Sequence, residues 1–260
     1  GWTDPQDVAV GPDGVFWVAR LLSPKIFVER PVQTFVDLSS LDADGNPDAS
    51  SIRIVGNQAF VALERLTNDV SQQPSQIAVL DATSLALAQT ITLKGRNPFG
   101  LMVESAGKLW LADVGSPFDA TEPDAGIEVV DTTTLTSTLL ISEATLGASV
   151  FQVAVNATCG AAIVGDSSVA NKTSLVSFSL DGSNVATTPG FGPTTGFDLR
   201  GLAWLPPENG NGARLLVGDQ RSKVGGFPVH VFTASAPTCA LTAGTDLTVP
   251  DLPAFAFAPL

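Results

Sequence analysis

The sequence predicts an all-β protein assembled from repeated four-stranded units, and three observations carry that prediction. Helical periodicity is nearly absent: short runs of Val, Ile, Leu, Phe and Trp alternate with Gly, Pro, Asn and Asp, the pattern of strands joined by tight turns. One strand-like segment type recurs five times along the chain. Each copy is followed by three further strand-like runs before the next begins, which makes a repeat of about 40 to 50 residues.

The first run of each repeat reads "PQDVAV" (5–10), "ASSIRI" (49–54), "PFGLMV" (98–103), "VFQVAV" (150–155) and "LRGLAW" (199–204). A polar turn leads to the second: "FWVAR" (16–20), "FVALE" (60–64), "LWLAD" (109–113), "AIVGD" (162–166) and "LLVGD" (215–219). A small residue holds one place in it every time: Ala19, Ala62, Ala112, Gly165 and Gly218. The third run is "IFVER", "IAVLD", "IEVVD", "LVSFS" and "VHVFT"; the fourth is weaker, as in "TFVDLS" and "AQTITL". Successive copies begin 44, 49, 52 and 49 residues apart, the size of one β-propeller blade. The expected architecture is one β-propeller domain with blades over 5–39, 49–93, 98–142, 150–191 and 199–244.

The segments "NPFGLMVESAGKLWLADVG" and "IAVLDATSLALAQTITL" resemble the YVTN type of propeller repeat, and "DPQDVAVGPDGVFWVAR" resembles the related NHL type. The resemblance covers nearly the whole chain and implies architecture rather than chemistry. Such repeats often carry Tyr in the second strand where this chain has Phe16, Phe60 or Trp110. The chain has no Tyr at all, beside 14 Phe and 4 Trp.

The first-run pattern returns once more as "LPAFAF" (252–257), 53 residues after "LRGLAW". Residues 252–260 are therefore expected to form an orphan inner strand after five complete blades. Propellers close by building one blade from both chain ends, which removes exposed edges. The outer companions would come from a segment preceding Gly1 or from a partner protein, for six or seven blades in all. The rival is a five-bladed ring whose tail caps the edge of the first blade.

Composition excludes several function classes. At 260 residues, 44% apolar and 15% charged, the chain suits one packed core or one repeat array. Its net charge of −13, with Lys and Arg scattered, argues against tracking nucleic acid and against an anionic membrane surface. No apolar run approaches the ~18 residues of a membrane-spanning helix. The two cysteines, Cys159 and Cys239, make no zinc site or disulfide framework. They form either one bridge, in an oxidising compartment, or two buried thiols. The expected location is extracellular, periplasmic or at the cell surface.

In a propeller, second-to-third-strand loops and blade-to-blade connections share one face. Here they are long: 65–75, 114–126, 167–173 and 220–227, with connections at 40–48, 143–148 and 191–198. The opposite turns, such as 11–14, 56–58 and 105–107, are short. Long loops on a rigid scaffold carry function. Asp113, Asp166 and Asp219 end three second strands, with Glu64 close to the same level. Either they form a carboxylate ring for a cation or polar ligand, or each caps its own loop through backbone N–H groups.

In "DADGNPD", Asp42, Asp44, Asn46 and Asp48 alternate as the oxygen ligands of Ca²⁺ do in a tight loop. The match is partial, because Pro47 holds the place of the expected glycine and Arg53 that of the closing glutamate. Asn68 and Asp69 are candidates to complete the shell; Asp119, Glu122 and Asp124 form a second acidic loop. His230 lies within a strand and has no evident nucleophile partner. Asn156 and Asn171 each begin an N-x-Thr glycosylation pattern.

The chain has no G-x-S-x-G elbow, phosphate loop or H-E-x-x-H pattern. The expected function is a non-catalytic binding scaffold that meets a protein partner through its long-loop face. The alternative is a Ca²⁺-dependent hydrolase of the propeller lactonase kind, in which Asp113, Asp166 and Asp219 hold a cation that polarises an ester carbonyl. A third reading is a structural subunit of an extracellular assembly, completed by a neighbour's strands.

Overall fold

Alternating apolar residues draw the chain into strands, and turn residues stop each strand after four to seven positions in most cases. The computed structural model describes residues 4–251 except 12, 30–31, 68–69, 72, 117–121, 167–168, 170–171, 193 and 208–211; the expected closing strand at 252–260 lies outside the described residues. Five antiparallel sheets occur among them. Blade 1 runs β1 (Pro5–Val10), β2 (Phe16–Arg20), β3 (Lys25–Val28) and β4 (Thr34–Asp37). Blade 2 runs β5 (Ala49–Val55), β6 (Gln58–Leu63), β7 (Gln76–Asp81) and β8 (Leu87–Thr92). Blade 3 runs β9 (Val103–Ser105), β10 (Lys108–Asp113), β11 (Gly126–Asp131) and β12 (Thr136–Ser142).

Blade 4 runs β13 (Ser149–Val155), β14 (Cys159–Gly165), β15 (Thr173–Ser179) and β16 (Ala186–Thr187). Blade 5 runs β17 (Leu199–Leu205), β18 (Arg214–Asp219), β19 (Phe227–Ser235) and β20 (Ala240–Ala243), and it gains a fifth strand, β21 (Leu247–Val249), paired with the start of β19. That extra strand was not foreseen. Helix is limited to a 3₁₀ turn at Ser39–Leu41 and one turn of α-helix at Glu143–Leu146. Blades 1–3 belong to one compact unit, and blades 4 and 5 to another.

Two local rules position the blades. The first is an Asx residue just before the inner strand. Asp4, Asp48 and Asn97 take left-handed φ of 43°, 53° and 56°, a conformation their short polar side chains tolerate. Their carbonyls accept the N–H of Leu21, Glu64 and Val114, the second residue after the small one in each second strand, at 2.9, 3.0 and 2.9 Å. In blade 5, Asp198 does the same for Gln220. Each inner strand is thereby fastened to the loop that follows its neighbour.

The second rule links inner strands of successive blades, which form no ladder with one another and so leave N–H groups needing acceptors. Asp7 accepts from Ile52 N, Ser51 Oγ and Arg53 Nη1 at 2.7–2.9 Å, and Ser51 Oγ in turn accepts from Met102 N at 2.9 Å. That relay crosses blades 1, 2 and 3. In the other unit, Gln152 Oε1 accepts from Gly201 N at 2.7 Å, and Trp204 donates to Ala154 O.

Apolar burial supplies the rest of the cohesion. Trp17, Ala19, Ile26 and Val28 of blade 1 pack with Ile52, Ala59 and Val61 of blade 2. The opposite face of blade 2, with Phe60, Ile77 and Val79, packs with Met102, Leu109 and Leu111 of blade 3. The expected inner strand at 98–103 is shortened to β9, because Pro98 has no N–H to donate and Gly100 adopts φ +83°; Pro98 forms only an isolated bridge with Asp113.

A disulfide joins Cys159, at the start of β14, to Cys239, in the turn before β20. It clips blade 4 to blade 5 and closes a separation of 80 residues. Replacing both cysteines by alanine is expected to lower stability by about 4 kcal/mol, read as a lower urea midpoint. An unchanged midpoint would show that apolar packing alone holds these two sheets together.

Candidate functional site

The acidic loop 42–48 is tied into its surroundings through the side chains of Asp42, Asn46 and Asp48. Asp42 Oδ1 accepts from its neighbour Ala43 N, and Oδ2 accepts from Gln73 Nε2 at 3.0 Å while pairing with Arg65 Nε at 3.4 Å. Asp44 accepts from Asn46 N at 2.8 Å. Asn46 donates to Asp48 Oδ1 and to Leu21 O, and Asp48 Oδ2 accepts from Leu66 N at 2.8 Å. These are the bonds by which Asp and Asn shape loops. Among the described residues, no group of three or more His, Cys, Asp or Glu side chains is placed to hold a metal ion. Asn68, Asp69 and Asp119 lie outside the described residues.

The four strand-end acids occupy different settings. Asp113 is fully buried and lies so close to Gly95 that a Cβ there would collide with its carboxylate. Asp166 directly follows β14 and is exposed. Glu64 directly follows β6, which ends at Leu63. It is buried, and burial together with the charge of Asp48 pushes its carboxyl up to about 8, against a hydrogen bond with Ser50. Glu64 is therefore protonated through most of the neutral range.

The long loops of the first unit are braced by cations. Arg96 donates to Asp124 Oδ2 at 2.7 Å, to Glu122 Oε1 at 3.1 Å and to Ser71 O at 2.6 Å, so one guanidinium joins the loop after β6 to the loop after β10. The chain before blade 3 is held by the buried Glu128, whose two oxygens accept from Lys94 N and Gly95 N at 2.7 Å.

The fourth acid, Asp219, lies in a cluster that the strand reading of His230 did not anticipate. Asp219 is fully buried at the end of β18. Burial alone would raise its carboxyl, but hydrogen bonds from His230 and Arg221 outweigh that and hold it well below the usual carboxylate range. Arg221 forks onto it with Nη2 at 2.7 Å, and its guanidinium stacks 4.3 Å from the centroid of the Phe197 ring. His230, only 2% exposed, stands between two carboxylates: Nδ1 is 2.9 Å from Asp246 Oδ2 and Nε2 is 3.5 Å from Asp219 Oδ2.

Phe191 and Phe197 stack on each other at 4.4 Å, and both present T-shaped contacts to the His230 ring. Asp246 brings the segment before β21 against His230 of β19, beside the two phenylalanine rings. A signal for it exists in the sequence: the one His sits in the strand that follows "GDQRS", and the connection before blade 5 carries two Phe.

No family model and no curated protein matches the chain. Solved structures do. The chain is similar to the WD40 repeats of RRP9, at 10% identity over 98% of this chain and 84% of that one, with a TM-score of 0.53. It is similar to virginiamycin B lyase from Staphylococcus aureus, at 11% identity over 92% and 72%, with a TM-score of 0.52. A glucose dehydrogenase-like oxidoreductase from Thermus thermophilus aligns at 9% identity over 96% and 84%, with a TM-score of 0.61. Likeness at these identities concerns the fold, and the fold is a β-propeller of four-stranded blades.

Glu64→Gln tests the buried carboxyl through linkage. A group with a raised folded-state pKa binds more protons folded than unfolded between about 4.5 and 8. Wild-type stability is therefore expected to fall across that window as pH rises, and the melting temperature of the glutamine variant to gain on it from pH 5 to pH 8. A pH-independent difference would contradict the assignment.

Arg221→Ala leaves a buried carboxylate without its fork and is expected to cost about 3 kcal/mol. Arg221→Lys should recover only part, since it loses the bidentate and stacked geometry; full recovery in denaturant titration would rule out the geometric role. Millimolar Ca²⁺ is expected to leave the melting temperature unmoved, because both carboxylate oxygens of Asp42 and of Asp48 already accept from N–H donors. A rise of several degrees that Asp42→Asn abolishes would restore the cation reading.

Proposed function

We propose that this protein is a non-catalytic β-propeller scaffold that binds a protein partner through the loops joining its second and third strands. One observation carries the reading: the loops after β6, β10 and β18 are braced from within, and those after β6, β14 and β18 hold exposed apolar side chains. Val70, in the loop after β6, Val169, in the loop after β14, and Val224, in the loop after β18, are 51%, 37% and 106% exposed. Arg65, Gln73, Arg96 and Arg221 tie the acids of such loops to neighbouring backbone and side chains. A preordered loop loses little entropy on binding, and apolar tips among polar neighbours are what a protein interface uses at its centre.

The fold does not decide the question, since WD40 repeats, a lyase and an oxidoreductase all share it. The loop chemistry supports the scaffold reading at Asp219, one of the three acids a hydrolase would need, whose carboxylate braces Arg221. The Cys159–Cys239 bridge supports an extracellular, periplasmic or cell-surface location, where disulfides persist.

A photoreactive phenylalanine placed singly at Val70, Val169 and Val224, and at Ser84 and Ser183 in the short turns, provides the test. Adducts with one partner are expected from the three valine positions and not from the two serines. Adducts confined to the serine positions, or spread evenly over all five, would refute the loop-face reading.

A further inference from the structure

Several turns of this protein share one plan, in which the Oδ1 of an Asp or Asn side chain accepts N–H groups two or three residues on. Asp81 accepts from Thr83 N at 3.0 Å and from Ser84 N at 2.7 Å. Asp131 accepts from Thr133 N at 2.9 Å and from Thr134 N at 2.8 Å. The turn between β13 and β14 follows the plan with an amide. There Asn156 Oδ1 accepts from Thr158 N and Cys159 N, both at 2.8 Å, and from Thr158 Oγ1 at 3.1 Å.

The comparison separates what the turn needs from what Asn156 adds. The segments "DAT" at 81–83 and "NAT" at 156–158 make the same two backbone bonds, so the turn needs an oxygen and not an amide nitrogen. A carboxylate is the stronger acceptor for such bonds. The N–H groups of Ser84 and Thr134 hold the carboxyls of Asp81 and Asp131 below the usual carboxylate range. Asn156 gives up that advantage. Two backbone donors on one atom identify that atom as the amide oxygen. The nitrogen, Nδ2, then has no hydrogen-bond partner among the described residues, and it stands beside Ala157 and Thr158, which are both exposed.

We propose that Asn156 is an N-glycosylation acceptor, with Thr158 as the hydroxyl residue of the acceptor triplet and a lipid-pyrophosphate-linked oligosaccharide as the donor. Nδ2 bonds to the anomeric carbon of the first sugar, and the bond from that carbon to the pyrophosphate oxygen breaks. The lipid pyrophosphate leaves with the electron pair, and one Nδ2 proton passes to a base of the transferase. The modified amide keeps its oxygen, so the turn keeps its bonds. Asn171, which begins the other N-x-Thr pattern, lies outside the described residues.

Placement and timing both suit the reaction. A glycan is bulky and belongs at the surface. Here it would stand at the start of β14 (Cys159–Gly165), about 20 Å along the strand from the loop at its far end. Cys159 directly follows the triplet, and its partner Cys239 comes 80 residues later. At about 5–20 residues synthesised per second, roughly 4–16 s separate the two cysteines, so the triplet meets the transferase before the bridge can form. The bridge itself fits passage through an oxidising compartment such as the endoplasmic reticulum lumen. The proposal rests on the extracellular or cell-surface location and is independent of the loop-face reading.

The full chain, directed through the secretory route of a cultured eukaryotic cell by an added signal peptide, tests it. Because delivery is imposed, a failure belongs to the site and not to the location. Peptide N-glycosidase in heavy-oxygen water turns a glycan-bearing Asn into labelled Asp, and peptide mass spectrometry reads the position. Label is expected at Asn156 in most molecules and should fall at least tenfold in Thr158→Ala. Asn156→Asp should abolish the glycan there and leave the urea midpoint unchanged, since an aspartate serves the same turn at position 81. The wild-type map decides even where a variant fails to fold. No label at Asn156, label at Asn171 alone, label that Thr158→Ala leaves intact, or a lowered midpoint in Asn156→Asp would each overturn the proposal.

Discussion

A blade of this protein is a thin sheet with two apolar faces, and neither face is stable against water alone. That constraint governs the rest. Blade 2 satisfies it on both sides, with Ile52, Ala59 and Val61 toward blade 1 and Phe60, Ile77 and Val79 toward blade 3. Because the faces carry the cohesion, the inner strands need not pair with one another. Their unpaired N–H groups are met instead by side-chain oxygens of the preceding blade, through Asp7, Ser51 and Gln152. Buried donors of this kind cost most when left unmet, so a polar relay accompanies every well-covered apolar interface described in either unit.

The same economy of partners explains the loops. A loop that leaves the end of a second strand carries backbone groups that no sheet can satisfy, and acids and amides close to the strand ends supply them. Asp48, Asn97 and Asp198 meet the loop with their carbonyls, and Asp42, Asp124 and Asp219 meet cations that span it. His230 is held between Asp219 and Asp246 with two phenylalanine rings about it.

The repeat was legible because strand burial imposes strict alternation, and five copies of it reinforce one another. Ala19, Ala62, Ala112, Gly165 and Gly218 mark the second strand where sheets approach closely, and that position was read directly. The Asx residues at 4, 48, 97 and 198 stand in the sequence just as plainly. Their role is not legible there because it lies in a backbone carbonyl, and at 4, 48 and 97 in a left-handed φ, rather than in side-chain chemistry. Asp246 lies 16 positions from His230, and only the turn between β20 and β21, itself absent from the repeat pattern, brings the two together.

Hydrogen exchange measured residue by residue tests the central claim most directly. If two-faced burial is what stabilises a blade, amides of β5, β6 and β7 should exchange only through global unfolding, while those of β1 and β2 open locally and faster. Equal protection of blade 1 and blade 2 would contradict it, since the one face of blade 1 that is covered among the described residues would then suffice.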